Sequence, residues 1–371
     1  MWSKYWMNQR LCATLIVAML ALPSLASARH HDNDPNGAAP LYPVSPLIVK
    51  KGVDAIYPSV AGDFLVFSTH HIEDYGVERV SKYSPLAASR AVKPMVLREA
   101  IRFGVALKDG GVGYVSNRSG PISAWMWQGN GESHVAIGQM GAFRGNVAPF
   151  HLNATPDGKV WCYDSSLQKV RQNELLNEFG DNPQFQLVGQ TWRIYDSDSN
   201  RFKMAYKATE TGKTNRLAPP VLYVWDRRNS QLTMIPNAFD GTISPDGQHI
   251  VFVRETDGNY DLWMQTIDGE ELVQLTNSKY GDFEPQFSPD GKHLLFVSNR
   301  DYKGTVTRTS IYMMDMQDYH LTRLTNARNA SDGGPAWMDA KTVVFHSDRS
   351  LKRPQSDTGS HWNIWQLKLA E

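Results

Sequence analysis

The sequence predicts an all-β fold, a seven-bladed β-propeller, and three observations predict it. A hairpin pattern recurs along most of the chain, a third and a fourth short strand follow most of its copies, and the copies are spaced like four-stranded blades. Hydrophobic residues make up 41% of the chain, which is enough for a sizeable core. The 11 Trp and 15 Tyr also suit packed sheets.

The clearest copy of the hairpin spans residues 283–300 and reads FEPQFSPDGKHLLFVSNR. Its S-P-D-G segment, residues 288–291, has the composition of a tight turn, and half-buried strand patterns flank it. A close copy with the same turn spans residues 239–257. Weaker copies, some with altered turns, lie at residues 57–68, 105–118, 149–163, 191–207 and 335–349. Seven hairpins predict seven blades, with six or eight as the alternatives.

Third strands such as LYVW at residues 222–225 and SIYM at residues 310–313 follow most hairpins. Fourth strands follow as LVQLTN at residues 272–277 and LTRLTN at residues 321–326. Spread over residues 46–371, seven units average about 47 residues, near the size of a four-stranded blade. The third blade, around residues 165–190, has the weakest pattern.

The two ends of the repeat region predict how the ring closes. The last unit stops after its third strand, whereas residues 46–50 (PLIVK) precede the first hairpin and align with the fourth strands. An N-terminal outer strand that completes the C-terminal blade would remove open sheet edges. We therefore expect closure by this strand.

The first 28 residues have the pattern of a signal peptide. Lys4 and Arg10 precede an apolar run, residues 11–22, and Ala26-Ser27-Ala28 forms a cleavage site. The run is shorter than the ~20 residues that span a bilayer. We expect cleavage after Ala28, a polar leader at residues 29–45 and one propeller domain at residues 46–371. The mature chain would then be periplasmic or secreted, without a transmembrane segment; a retained membrane anchor is the alternative.

The charge balance argues against a nucleic-acid partner, and the cysteine content argues against an internal disulfide. Lys plus Arg equal Asp plus Glu, at 38 each, so an exported chain of this balance is not expected to bind nucleic acid. Cys12 lies in the signal segment, which leaves Cys162 without an internal disulfide partner. Because Cys162 lies in an apolar strand pattern, we expect a small buried hydrophobe, with a reactive thiol as the alternative.

The repeat unit resembles those of TolB-type propellers. It reads F/W-S-P-D-G-K/Q, then a strand ending in S-x-R, then Ile-Tyr or Leu-Trp, then Leu-Thr-Asn, most clearly over residues 239–349. The resemblance implies a propeller fold but no single function, because such repeats occur in binding proteins, peptidase accessory domains and lyases. Only residues 29–45 separate the expected cleavage site from the first strand. We therefore expect a relative of TolB that lacks its N-terminal α/β domain.

The candidate binding surface is the face opposite the S-P-D-G turns, where longer loops cluster. These loops, at residues 209–219, 299–309 and 347–361, are rich in basic residues. Arginine presents donors suited to carboxylates, so an acidic protein loop or an anionic polysaccharide is the expected ligand. A solvated rim whose arginines pair with Asp301 or Asp348 is the alternative. The candidate binding residues are Arg216, Arg300, Lys303, Arg308, Arg349 and Arg353.

The search for catalytic motifs finds no G-x-S-x-G, no H-E-x-x-H and no paired cysteines. We therefore predict a non-enzymatic recognition scaffold of the cell envelope, without catalytic residues, metal or cofactor, acting as a monomer or within a complex. The alternative is a metal-dependent uronate lyase or hydrolase, in which His70, His346 and His361 of the first and last blades would converge. A calcium loop at residues 196–200 is a weaker alternative, because Arg201 occupies its sixth position, where such loops have glycine.

Overall fold

The computed structural model describes residues 42–71, 74–92, 99, 101–116, 118, 123–128, 134–137, 149–165, 191–196, 201–207, 220–256, 258–304, 308–326, 329–355 and 357–369. In these ranges the chain forms strands β1–β26 and a single 3-10 helix, Arg300–Tyr302. The fold is therefore all-β. No helix among these residues is both long and apolar enough to cross a membrane. The expected signal peptide, its cleavage site and the leader up to residue 41 lie outside the described ranges.

Six four-stranded antiparallel sheets form the blades of the propeller, numbered here in the order of their innermost strands. Blades 1 and 2 contain β2 (Asp54–Ala61), β3 (Phe64–His71), β4 (Asp74–Ser81) and β5 (Arg90–Ala91), then β6 (Ile101–Ala106), β7 (Val112–Ser116), β8 (Ser123–Trp127) and β9 (His134–Ala136). Blades 3 and 4 contain β10 (Pro149–Ala154), β11 (Val160–Ser165), β14 (Val221–Asp226) and β15 (Gln231–Pro236), then β16 (Phe239–Ile243), β17 (His249–Thr256), β18 (Asn259–Thr266) and β19 (Val273–Gln274). Blades 5 and 6 contain β20 (Asp282–Phe287), β21 (His293–Ser298), β22 (Ser310–Asp315) and β23 (Leu321–Arg323), then β24 (Asp332–Trp337), β25 (Thr342–Arg349), β26 (Thr358–Lys368) and β1 (Val44–Ile48).

The predicted count of seven blades is wrong, because one hairpin is an insertion. Strands β12 (Thr191–Asp196) and β13 (Arg201–Lys207) form a separate two-stranded sheet. The strands that follow them in sequence, β14 and β15, pair onto β11 and complete blade 3. A hairpin pattern predicts two paired strands, but it does not determine which later strands join them. The residues between β11 and β12 lie outside the described part of the chain.

The S-P-D-G turns are held by their own side chains. The Ser288 hydroxyl donates to Asp290 Oδ1 at 2.6 Å, and the same Asp oxygen accepts the Lys292 N–H at 3.1 Å. The Ser288 Oγ in turn accepts the His293 N–H at 2.9 Å. Gly291 has φ +72°, a conformation that favours glycine. The bond from Ser288 lowers the pKa of Asp290, so the carboxylate form holds the turn.

Each innermost strand carries a β-bulge at the same place. The pairing register of all six shifts across two residues, for example between Phe283 and Gln286 in β20. The first bulged residue has φ between 44° and 52°, in the left-handed region of backbone conformation. We call these six residues the channel ring. The channel ring consists of Tyr57, Phe103, His151, Asp240, Glu284 and Gly334.

The hydrophobic core lies within and between neighbouring blades. Trp161 and Tyr223 are completely buried in the cluster that joins blades 2 and 3, and Tyr163 stacks on Tyr223 with ring centroids 5.0 Å apart. Cys162 is free and buried, and its thiol donates to the Gly241 carbonyl at 3.3 Å. Burial raises the pKa of this thiol. The prediction of a buried, hydrophobe-like cysteine is confirmed.

Blade 6 is assembled from both ends of the described chain. Strand β1 pairs antiparallel with β26, with Val44 opposite Leu367 and Ile48 opposite Ile364. Leu47 and Ile48 are buried in the cluster that joins blades 6 and 1. The contribution of this strand to closure of the ring stays a prediction, which is tested below.

Candidate functional site in the central channel

A cavity of about 520 Å³ occupies the centre of the propeller. Its inner end is bounded by the channel ring, and the walls continue along the innermost strands. Its outer end is lined by the turns that join first and second strands, including Pro156, Pro245 and Pro289. The cavity therefore lies on the side of the tight turns, opposite the long-loop face predicted from the sequence.

Blades 3, 4 and 5 form a polar wall of this cavity. The wall contains His151, Asp240 and Glu284 of the channel ring, together with Asn153 and Gln286. The Asn153 side-chain amide donates to Gln286 Oε1 at 3.2 Å, which joins two blades that are not consecutive. Glu284 Oε2 accepts the Gly334 N–H at 2.7 Å and ties this wall to blade 6.

Blades 1 and 2 form an aromatic wall on the other side. The rings of Tyr57 and Phe103 have centroids 5.7 Å apart. Both rings also contact His151, edge-on, at centroid distances of 5.9 Å and 5.3 Å. The channel thus presents carboxylates and amides on one side and aromatic rings on the other.

Two residues of the polar wall, His151 and Asp240, form a cluster with the buried Asp164. His151 Nδ1 lies 3.0 Å from Asp164 Oδ2 and 2.7 Å from Asp240 Oδ1. Asp164 Oδ2 also accepts the Asp240 backbone N–H at 2.9 Å. Burial alone would lower the pKa of His151, but the two carboxylates together raise it well above its usual value. Each of the three side chains offers one potential metal-ligating atom, and these atoms lie within 4.8 Å of one another. Among the described residues, the cluster is the one group of this kind.

The three histidines predicted to converge do not share one site. His361 Nδ1 lies 3.3 Å from Asp54 Oδ1, and His70 Nδ1 lies 3.9 Å from Asp54 Oδ2, so these two meet at one carboxylate across blades 6 and 1. His346 contacts the channel ring instead. Its Nδ1 accepts the Tyr57 N–H at 3.2 Å, and burial lowers its pKa to about 3.

Two of the predicted binding arginines are engaged in ion pairs within their own blades. Arg300 donates to Asp282 at 2.8 Å, and Arg349 Nε donates to Asp332 Oδ1 at 3.0 Å. In both, the Nε also donates to the serine of the S-x-R motif, Ser298 or Ser347. The alternative of intramolecular pairing therefore holds for these two, with Asp282 and Asp332 as partners in place of Asp301 and Asp348.

The remaining predicted residues stay candidates for ligand binding. Lys303 and Arg308 are exposed, beside the 3-10 helix and before β22. The Arg353 side chain is 75% exposed and pairs with Asp357 at 2.8 Å. Arg216 and residues 197–200 of the possible calcium loop at residues 196–200 lie outside the described part of the chain.

The channel ring was not predicted from the sequence, although a signal for it exists. Each member stands four residues before the residue that begins the turn of its hairpin. In blades 3, 4 and 5 these turns begin at Thr155, Ser244 and Ser288. Aligning the turns therefore aligns the ring.

Comparison with known proteins places the fold. Neither a family model nor a curated protein sequence matches the chain. The solved structures it resembles are TolB-type and related propellers. The predicted TolB-type resemblance is confirmed at the level of fold.

Three of these structures are an oligogalacturonate lyase and two TolB proteins. An oligogalacturonate lyase in complex with manganese has 13% identity and a TM-score of 0.50, over 90% of this chain and 95% of its own. A putative TolB from Agrobacterium tumefaciens has 15% identity and a TM-score of 0.48, over 86% of this chain and 91% of its own. TolB from Acinetobacter baumannii has 12% identity and a TM-score of 0.46; the match covers 87% of this chain but only 66% of that TolB. At these identities the likeness describes the fold alone.

Proposed function

We propose that the chain is an exported recognition protein of the cell envelope that binds its ligand in the central channel without transforming it. The observation that carries this proposal is the cavity of about 520 Å³, with a polar wall and an aromatic wall. Ligand sites in proteins are typically concave, partly apolar and lined by a few oriented polar groups. The channel has this composition.

The chemistry of the walls favours a segment of a protein partner as the ligand. Tyr57 and Phe103 offer aromatic surface to an apolar side chain, and aromatic residues dominate the energetics of many interfaces. On the opposite wall, Asp240 and Glu284 favour a ligand segment with hydrogen-bond donors or a cationic group. These carboxylates would repel an anionic polysaccharide. Binding of such a polysaccharide in the channel is therefore the alternative result of the capture experiment below.

The long-loop face remains the second surface of the proposal. Lys303, Arg308 and Arg353 are exposed there and have the charge expected for contacts with an acidic surface. Rim charges act mainly on the association rate and on the salt dependence of binding. The two surfaces can therefore be separated by experiment.

The test is affinity capture from envelope extract with matched variants of the mature chain. Asn153→Arg places a long side chain in the cavity, and the double variant Arg308→Glu, Arg353→Glu reverses charge on the long-loop face. We expect a purified captured partner to lose at least about tenfold in affinity with Asn153→Arg. The double variant should alter salt dependence more than affinity. Unchanged affinity with a correctly folded Asn153→Arg variant would refute binding in the channel.

A second candidate function is metal-dependent cleavage of a uronate polysaccharide. The observation that favours it is the His151–Asp164–Asp240 cluster in the channel, since imidazole and carboxylate groups ligate divalent cations. Incubation with oligouronates and Mn²⁺, followed by the ultraviolet absorbance of an unsaturated product, tests it. Product formed by the mature chain and lost in Asp240→Asn would contradict the non-enzymatic proposal.

A further inference from the structure

The His151–Asp164–Asp240 cluster carries more negative charge than its own imidazole can neutralise. Asp164 and Asp240 are 3% and 4% exposed, and a buried carboxylate is costly unless it is paired and hydrogen-bonded. The single positive group in ion-pair contact with them, among the described residues, is His151. Even with a protonated imidazole, the cluster has a net charge of −1.

Several oxygen atoms of the cluster also lack hydrogen bonds. Asp164 Oδ1 and Asp240 Oδ2 accept none from the residues that the structure describes. Asp240 Oδ1 contacts His151 Nδ1 at 2.7 Å as an ion pair, without the angle of a hydrogen bond. Because buried polar atoms are nearly always satisfied, these oxygens indicate a missing partner. Asp240 lines the cavity, so that partner can be reached from the channel.

We propose that this cluster binds one divalent transition cation, Mn²⁺ or Zn²⁺, on the polar wall of the channel. His151 Nδ1 and one carboxylate oxygen each from Asp164 and Asp240 are the ligands. A set of one nitrogen and two oxygens suits these ions better than Ca²⁺ or Mg²⁺, which prefer oxygen alone.

The distances require only small adjustments. Ligands around such an ion at ~2.0–2.2 Å lie roughly 3 Å or more apart. The present contacts of His151 Nδ1, at 2.7 Å and 3.0 Å, are close to that spacing. The cation would replace the proton on Nδ1, because a histidine ligand must be neutral.

The open side of the cation would face the cavity, because His151 and Asp240 both line it. Water or an oxygen of a channel ligand would complete the coordination. The inference stands apart from the proposed function, since metal binding is measured on the protein alone, without a partner.

The test is binding of Mn²⁺ to the metal-stripped mature chain, followed by electron paramagnetic resonance and calorimetry. We expect one site per chain, and a loss of at least about tenfold in affinity with Asp240→Asn. Asp268→Asn is the control, since Asp268 is an exposed carboxylate outside the channel, and it should leave Mn²⁺ affinity unchanged. Equal affinity in Asp240→Asn and in the unmodified chain would overturn the proposal.

A second measurement uses the unmodified chain and does not depend on the folding of any variant. A ligand that binds only the folded state raises the melting temperature in proportion to the logarithm of its concentration. We expect Mn²⁺ or Zn²⁺ to raise the melting temperature of the mature chain, and Asp164→Asn to abolish the rise. No rise with either cation would also overturn the proposal.

Discussion

The residues of the channel ring show how far a repeat alignment predicts side-chain direction. The alternation of a regular strand predicts which residues share a face, and a bulge breaks that alternation by one residue. Glu284 and Pro285 occupy the bulge of β20, and the ring member is the residue with φ 50°. Aligning the turns brings the six positions into one column, but residue type does not predict the bulge there, because the six ring members have no side-chain chemistry in common.

Because His346 is buried, we expect the protein to lose stability in acid. Its pKa is lowered to about 3 by burial, whereas an exposed histidine titrates near 6.5. The unfolded chain therefore binds the proton more readily, so the contribution of His346 is fully present above about pH 6.5. It falls by up to about 1.4 kcal/mol per pH unit below that.

The measurement for His346 is the melting temperature between pH 7.5 and pH 5. His346→Gln should reduce the acid-induced drop, because the titrating group is removed. His320→Gln is the control, since His320 is exposed, and it should leave the drop unchanged. A drop that is identical in all three proteins would contradict the prediction.

At Gly334 the channel ring leaves no room for a side chain. A Cβ at this position would lie 2.6 Å from His346 Nδ1, and the residue has φ +52°. Gly258 is the matched control, because it has φ +81° but no atom within 4 Å of its Cβ position. Both alanine variants carry the backbone strain, but only Gly334→Ala adds overpacking, of about 1–3 kcal/mol. Denaturant unfolding should show this difference; equal stabilities would refute it.

The arginine of the S-x-R motif links the second strand of a blade to an acidic residue at the start of the same blade. Arg118, Arg300 and Arg349 each end a second strand or follow it, and each pairs with an acidic residue of the same blade. The arginine can be read from the motif, but its acidic partner stands 17 to 19 residues earlier, at the start of the first strand or just before it. A search confined to neighbouring acids therefore names the wrong partners.

Substitution of Arg349 and of Arg353 should have very different effects on stability, although both are candidate binding residues in the sequence analysis. Arg349 and its partner Asp332 are completely buried, so Arg349→Ala leaves a buried carboxylate without its counter-charge. We expect a loss of about 3–5 kcal/mol in the free energy of unfolding. Arg353→Ala removes an exposed pair and should change stability little. Chemical denaturation of the two variants measures this, and similar losses would contradict the burial argument.

The hairpin of β12 and β13 shows why blade number was harder to predict than fold class. Its local pattern satisfies every criterion for a pair of strands. Membership of a blade depends on which later strands pair with it, and β14 pairs with β11 across a long insertion. Which strands pair over such a distance depends on packing against neighbouring blades rather than on local composition. One example of this packing is the contact of β11 with β16 of the next blade.

Strand β1 is expected to hold the ring of six blades closed. Leu47 is buried between blades 6 and 1, whereas Val49, just beyond the strand, is 48% exposed. Deletion of residues 47–50 should sharply lower the melting temperature. Leu47→Asp should lower it as well, whereas Val49→Asp should not. An unchanged melting curve for the deletion would refute closure by this strand.

The pairing of β1 with β26 also has a consequence for the order of folding. Val44 and Leu367 are partners although almost the whole described chain separates them. Contacts this distant in sequence form late, because the entropy of closing so long a loop precedes any gain from them. During synthesis, β1 has no strand to pair with until β26 has been made. Blades 1 to 5 can thus stack before blade 6 is complete, and β1, the first strand of the described residues, is among the last to be placed.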